Sequence, residues 1–134
     1  MNEFLSAAEF NKVADIEATN CFAFALGLTE SNGVYELPRK DCDGCKLDIA
    51  EAFRRISAYH GFCMKRVSNL EETNGVTAFV LWGWFAGSDF HVARKNPNGM
   101  FEHKPDFHKP ATETTLDEIR VEYPESYKVF VLDM

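Results

Sequence analysis

One cysteine and two histidines form the combination of residues in this chain that is best suited to chemistry. Cys21 follows Asn20 at the start of an apolar run, and His91 and His103 flank the turn-forming residues 96–99. Apolar and polar residues alternate around that turn, which predicts a β-hairpin with one histidine on each strand. A cysteine at a helix N-terminus, followed by a histidine on a strand and a polar residue on the neighbouring strand, is compatible with a cysteine nucleophile.

Cys21 has two interpretations. A thiol with an ordinary pKa of about 8.5 is a poor nucleophile until its anion is stabilised. The start of a helix carries about half a positive charge, and a nearby imidazolium would lower the pKa of the thiol further. The first-turn N–H groups and the Asn20 side chain could also bind an oxyanion. Against this, a free cysteine in an apolar helix more often only packs.

The two histidines depend on the register of the hairpin. A loop of about five residues would place His91 and His103 opposite one another, with Cβ atoms about 5 Å apart. A loop of two or four residues would offset them by one and turn one imidazole away. Asp89 shares the face of His91 and either accepts its hydrogen bond or solvates the strand edge. His108 is expected at the surface and is a weak substitute for His103.

The remaining cysteines raise the question of a metal site. Cys42, Cys45, His60 and Cys63 have a spacing compatible with zinc ligands. The helix predicted between the two pairs is about 13 residues and roughly 20 Å long, so its ends cannot share one ion. We therefore expect no metal and no cofactor.

Cys42 and Cys45 also precede a helix, as redox cysteines do in thioredoxin-like proteins. Asp41, Asp43 and Asp48 surround them and should oppose thiolate formation. We expect a solvated loop with reduced thiols.

Capping signals and hydrophobic periodicity predict the elements that must position these residues. The predicted helices are residues 6–17, 21–26, 47–59 and 116–123, and the predicted strands are 62–67, 76–85, the two hairpin arms and 127–132. Residues 105–115 read as a proline-bearing loop. Helices first and strands afterwards predict one α+β domain over residues 1–134, with the N-terminal helices packed on one face of a small antiparallel sheet.

Composition excludes several functions. The chain has 134 residues, 46% of them hydrophobic, and a net charge of −7. This charge argues against nucleic-acid binding and against acidic substrates. The sequence contains no apolar stretch of about 18 residues, so we expect no membrane span. The N-terminus lacks the pattern of a secretory signal, so we expect a cytoplasmic protein, or one exported by a dedicated route.

Asn20-Cys21 on a helix, His91-Val92 on a strand, a turn at Gly99 and His103 on the next strand resemble the papain-like cysteine peptidases of the bacterial NlpC type. The resemblance implies a papain-like fold with Cys21 as nucleophile, His91 as base and His103 as the residue that orients it. It also implies a peptide or peptidoglycan-like substrate. The chain departs from that family because it lacks Asp-Cys-Ser-Gly around the nucleophile. The hairpin also looks like that of little-described bacterial and phage proteins.

Two functions follow as hypotheses. The first is a cysteine hydrolase that cleaves an amide bond through an acyl-enzyme, a chemistry shared by peptidases, cell-wall amidases, deamidases and acyltransferases. The second is a non-catalytic interaction module, an inhibitor or adaptor, whose aromatic sheet binds a protein partner. Thiol reactivity separates them, because only the hydrolase needs a hyper-reactive cysteine.

Overall fold

A sheet of six antiparallel strands organises the part of the chain that the structure describes. The computed structural model describes residues 4–29, 49–83, 90–105, 109–124 and 126–133. The helices there are α1 (Ala7–Val13), α2 (Cys21–Leu26), α3 (Ile49–Tyr59) and α4 (Leu116–Glu122), with 3₁₀ turns at Ile16–Ala18 and Leu70–Thr73. The strands are β1 (Met64–Val67), β2 (Ala78–Trp82), β3 (His91–Lys95), β4 (Phe101–His103), β5 (Thr112–Thr114) and β6 (Tyr127–Leu132). The predicted α+β class is confirmed.

The order of the strands is β1-β6-β2-β3-β4-β5, which places β2 inside the sheet between β6 and β3. All five residues of β2 are buried, as expected for an unbroken apolar run covered on both faces. The prediction for residues 76–85 is confirmed for this central part, whereas residues 84 and 85 lie outside the described ranges. Each pair of neighbouring strands is antiparallel.

Helices cover both faces of the sheet. α2 and α3 pack on the face formed by alternate strand residues that include Phe79, Leu81 and Val92. α4 packs on the opposite face through Ile119, against residues that include Trp82. The expected packing of helices on one face is therefore correct for α2 and α3, but a C-terminal helix covers the other face.

One strand was not predicted. β5 lies in the proline-bearing segment that the sequence predicts as a loop, and it pairs with β4 through His103 and Thr112. Its three residues, Thr-Glu-Thr, are exposed or half-buried and show no apolar alternation. An edge strand of this kind gives no hydrophobic signal, because it buries little apolar surface.

The helix caps agree with the sequence. Ser6 and Glu9 form the predicted capping box of α1, although the α-helix ends at Val13 and not at residue 17. Gly27 ends α2 with φ of 72°, a left-handed conformation that glycine adopts without strain. α3 is described from Ile49 onward. Among the described residues, none of the helices combines the length and hydropathy needed to cross a membrane.

Candidate active site

Cys21 is the first residue of α2, as the sequence predicts. The Ala23 N–H donates to Asn20 Oδ1 at 2.9 Å, so the Asn20 side chain caps the helix. All six residues of α2 are buried, and the helix packs on β3. Only 9% of the Cys21 surface is exposed to solvent. Oδ1 is an acceptor, so the group of the Asn20 side chain that can donate to an oxyanion is Nδ2.

The electrostatic environment of the Cys21 thiol contains opposing effects. Burial is the largest and raises the pKa of Cys21 to about 11. Hydrogen bonding from the backbone of Val92 and Phe22 and the positive charge of Lys104 lower the pKa, but by less. The expectation of a depressed pKa is therefore wrong in direction, because desolvation outweighs the helix terminus. The thiol is protonated at neutral pH.

His91 and His103 form a direct hydrogen bond. His91 Nε2 and His103 Nδ1 are 2.7 Å apart, with the two rings nearly perpendicular at 82°. Only 1% of His91 and 8% of His103 is exposed, so the pair is buried and not at the surface. A hydrogen bond of this length fixes the relative orientation of the two imidazoles.

The register of the hairpin explains how the rings meet. Arg94 pairs with Glu102 and Lys95 with Phe101. The loop between these pairs therefore spans the expected five residues, 96–100. Continued along the strands, this register places His103 opposite Ala93 and not opposite His91. The two histidines are diagonal neighbours on one face, a separation that long side chains can bridge.

Aromatic rings surround His91. Its imidazole is stacked on Tyr123 with a centroid distance of 4.5 Å and an interplanar angle of 4°. The centroid of the Trp82 ring lies 5.8 Å away. Burial first, and the charge of His103 second, lower the pKa of His91 to about 3. Both imidazoles are neutral at pH 7, since burial also lowers the pKa of His103 despite the opposing effect of nearby glutamates.

The structure brings the two predicted histidines together, and it places the Cys21 thiol on the α2 side of β3. The two imidazoles are in contact, and the thiol meets the backbone of Val92, which directly follows His91. Val92 faces α2, whereas the His91 ring lies with the residues that face α4. The thiol therefore lies beside the first residues of β3.

Other predicted positions fall elsewhere. Asp89, His108, Cys42 and Cys45 lie outside the described residues, so the suggested supporting, zinc and redox roles receive no structural account. Cys63 is an exposed free cysteine. No group of three or more potential metal ligands occurs among the residues that the structure describes.

Buried charges beside the site were missed at the sequence level. Arg94 is 1% exposed and lies 3.3 Å from the carboxylate of Glu102. The guanidinium stands over the rings of Phe4 and Phe24, at 5.2 and 4.6 Å from their centroids. Glu102 also accepts from the Ala7 N–H at 2.8 Å, which ties the hairpin to α1. The signal that could have revealed the pair is the placement of opposite charges on facing hairpin arms.

A second missed residue is Lys104, which follows β4 and is only 1% exposed. Its charge acts on the Cys21 thiol.

Comparisons with protein-family models, curated proteins and solved structures found no match for this chain. The functional argument therefore depends on the geometry of the site.

Proposed function

We propose that the protein is a cysteine hydrolase that cleaves an amide bond through an acyl-enzyme, with Cys21 as nucleophile, His91 as general base and His103 as the orienting residue. The observation that carries this proposal is the 2.7 Å hydrogen bond between His91 and His103. His91 is the first residue of β3, and the backbone of the next residue, Val92, hydrogen-bonds to the Cys21 thiol at the N-terminus of α2. A papain-like arrangement of the NlpC type combines these features.

The hydrogen bond determines which nitrogen of His91 exchanges the proton. If His91 Nε2–H donates to His103 Nδ1, the Nδ1 of His91 keeps its lone pair and can accept the thiol proton. The same Nε2–H bond persists when His91 becomes an imidazolium. Neutral His103 thus favours the tautomer of His91 that acts as a base, and its Nδ1 lone pair accepts from the imidazolium formed in the reaction, whereas a charged His103 would repel that cation.

The proposed reaction has two halves. Sγ of Cys21 bonds to the carbonyl carbon while its proton passes to His91 Nδ1, and the first-turn N–H groups and Asn20 Nδ2 stabilise the oxyanion. The C–N bond then breaks, and the leaving amine takes the proton from His91. In the second half, water gives a proton to His91 and attacks the thioester, which releases the acid and regenerates the thiol. An acyltransferase would use an amine or alcohol in place of water.

The two pKa shifts define the resting state. With the pKa of Cys21 raised to about 11 and that of His91 lowered to about 3, thiol and imidazole are both neutral. Proton transfer must then accompany the attack on the substrate, because no thiolate–imidazolium pair exists beforehand. We propose a peptide or peptidoglycan-like peptide as substrate, since an acidic protein repels strongly anionic ligands.

Acyl transfer from p-nitrophenyl acetate tests this proposal. We expect one acetyl group per chain on Cys21, detected by intact mass and peptide mapping, with acetylation faster than at Cys63. The exposed Cys63 is the internal control, because it directly precedes β1, which β6 and β2 separate from the β3–β4 hairpin. Acetylation of Cys63 in the folded protein while Cys21 stays unmodified would contradict the proposal.

The second candidate is the non-catalytic interaction module. The observation that favours it is the burial of Cys21, His91 and His103, each at most 9% exposed, together with the raised thiol pKa. A buried neutral cysteine packed under a sheet is the usual structural cysteine. The same acetylation experiment separates the two functions, because this module predicts no selective modification of Cys21.

A further inference from the structure

Lys104 is a buried cation beside the proposed nucleophile. Lys104 is only 1% exposed, so its ammonium charge acts through the protein interior, where water screens it weakly. Lys104 directly follows β4, and the positive charge that it carries acts on Cys21. Its position in the hairpin determines the face of the sheet on which its side chain lies.

The register places Lys104 on the same side of the sheet as α2. Arg94 pairs with Glu102, and continuation by two residues sets Lys104 opposite Val92. Arg94 faces α2, because its guanidinium donates to the Phe24 and Ala25 carbonyls at 3.4 Å. Side chains two residues apart on a strand share a face. Lys104 therefore shares the face of Val92, whose backbone meets the Cys21 thiol.

We propose that the Lys104 ammonium is the electrostatic partner of the sulfur of Cys21 and stabilises the negative charge that forms there when His91 accepts the thiol proton. Lys104 keeps its own proton throughout, and no bond to it forms or breaks. This inference rests on the proposed function, because it takes the Cys21 sulfur as the reacting atom. Placing a cation there offsets part of the burial that raises the thiol pKa.

Lys95 provides a matched control. It is also buried, but its Nζ donates to the Thr73 and Val76 carbonyls at 2.9 and 3.4 Å. Lys95 lies an odd number of residues from Arg94 and therefore on the opposite face. Replacing Lys95 removes a buried ammonium without removing a charge from the α2 side of the sheet.

The test compares Lys104→Met, Lys104→Arg and Lys95→Met by the iodoacetamide alkylation rate of Cys21 between pH 7 and 9, with peptide mass mapping. A one-unit rise in thiol pKa lowers the thiolate fraction tenfold, and greater nucleophilicity offsets part of this. We expect Lys104→Met to lower the rate about threefold to tenfold, and Lys104→Arg and Lys95→Met to leave it near the wild-type value. An unchanged rate and pH profile in folded Lys104→Met would overturn the proposal.

If Lys104→Met does not fold, the wild-type protein can be tested instead by comparing its alkylation by a negatively charged and by a neutral reagent. A cation beside sulfur favours iodoacetate over iodoacetamide, so their rate ratio at Cys21 should be higher in the folded protein than in the urea-unfolded chain. An equal or lower ratio would contradict the proposal.

The His91→Ala variant keeps the two proposals distinct. If only His91→Ala slows alkylation, Lys104 is not the electrostatic partner, and if only Lys104→Met does, His91 is not the base.

Discussion

The two faces of the β3–β4 hairpin solve the problem of buried polar groups in opposite ways. The face toward α2 holds charged side chains, of which Arg94 and Glu102 form an ion pair with further bonds to backbone groups. On the opposite face, the part toward α4 holds the neutral imidazoles of His91 and His103 among aromatic rings and forms the neutral face. Lys95 lies farther along β3 on that side, where its ammonium group donates to backbone carbonyls. The ionic face ties α1 and α2 to the hairpin, whereas the neutral face keeps two hydrogen-bonded imidazoles uncharged. This contrast predicts different responses to mutation and to pH.

Disruption of the ionic face should have the largest effect on stability. Glu102→Ala leaves the Arg94 guanidinium buried without its carboxylate and removes the acceptor for the Ala7 N–H. Loss of one partner of a buried ion pair typically costs about 3–5 kcal/mol of unfolding free energy. Urea unfolding measures this loss. Glu51→Ala is the matched control, because it breaks two exposed pairs, with Arg54 and Arg55, each worth at most about 1 kcal/mol. Equal losses in both variants would contradict the contrast.

A change of one histidine on the neutral face should affect reactivity more than stability. His103→Asn keeps a hydrogen-bond partner for His91 and should retain part of the Cys21 acetylation rate. His103→Leu removes the partner and should lose more of it, although less than the factor of about 10²–10⁴ expected for loss of the base. Acetylation by p-nitrophenyl acetate measures both. Equal rates in the two variants would show that the hydrogen bond does not orient His91.

Acid should destabilise the protein through the neutral face. The pKa of His91 falls from 6.5 to about 3 on folding, so the unfolded chain binds the proton more tightly than the folded protein. The stability from neutral His91 is complete above about pH 6.5 and decreases as the pH falls toward 3. His91→Gln should reduce the slope of unfolding free energy against pH in that window by up to about 1.4 kcal/mol per unit. An unchanged slope would show that His91 is not buried as a neutral group.

The helix caps on the two faces provide the smallest test. Asn20→Ala removes the N-cap of α2, and Thr115→Ala removes that of α4, where the Thr115 hydroxyl accepts from the Glu118 N–H. Each should lower the unfolding free energy by about 1 kcal/mol. Only Asn20→Ala should also slow the acetylation of Cys21, because the Asn20 side chain is adjacent to Cys21 and can donate to the oxyanion, whereas Thr115 caps a different helix. Equal acetylation rates in the two variants would exclude an oxyanion role for Asn20.

The sequence predicted the parts of this molecule that local signals determine. The N-cap Asn20 and the C-cap Gly27 delimit α2, and the turn around Pro97 defines the hairpin that joins the two histidines. The five-residue loop was the expected one, but the exact pairing depends on where the ladder starts. A shift of two residues changes which side chains are directly opposite without changing their face.

Tertiary burial accounts for what the sequence did not predict. Arg94, Glu102 and Lys104 have charged side chains that sequence rules assign to the surface, and only packing against α1 and α2 makes them internal. From the sequence, the helix terminus was expected to lower the pKa of Cys21, whereas in the structure burial raises it. The placement of α4 over His91 depends on long-range contacts that no local pattern encodes. The relationship to NlpC-type peptidases stays a prediction.

The most direct test of the central claim is the iodoacetamide alkylation rate of Cys21 as a function of pH in wild-type protein and in His91→Ala. If His91 accepts the thiol proton, His91→Ala should slow alkylation by about 10²–10⁴-fold at neutral pH and return the pH profile to that of an isolated buried thiol. His60→Ala is the control, because His60 lies at the end of α3 against Tyr59. An unchanged rate and pH profile in folded His91→Ala would contradict the catalytic account and leave the non-catalytic interaction module in its place.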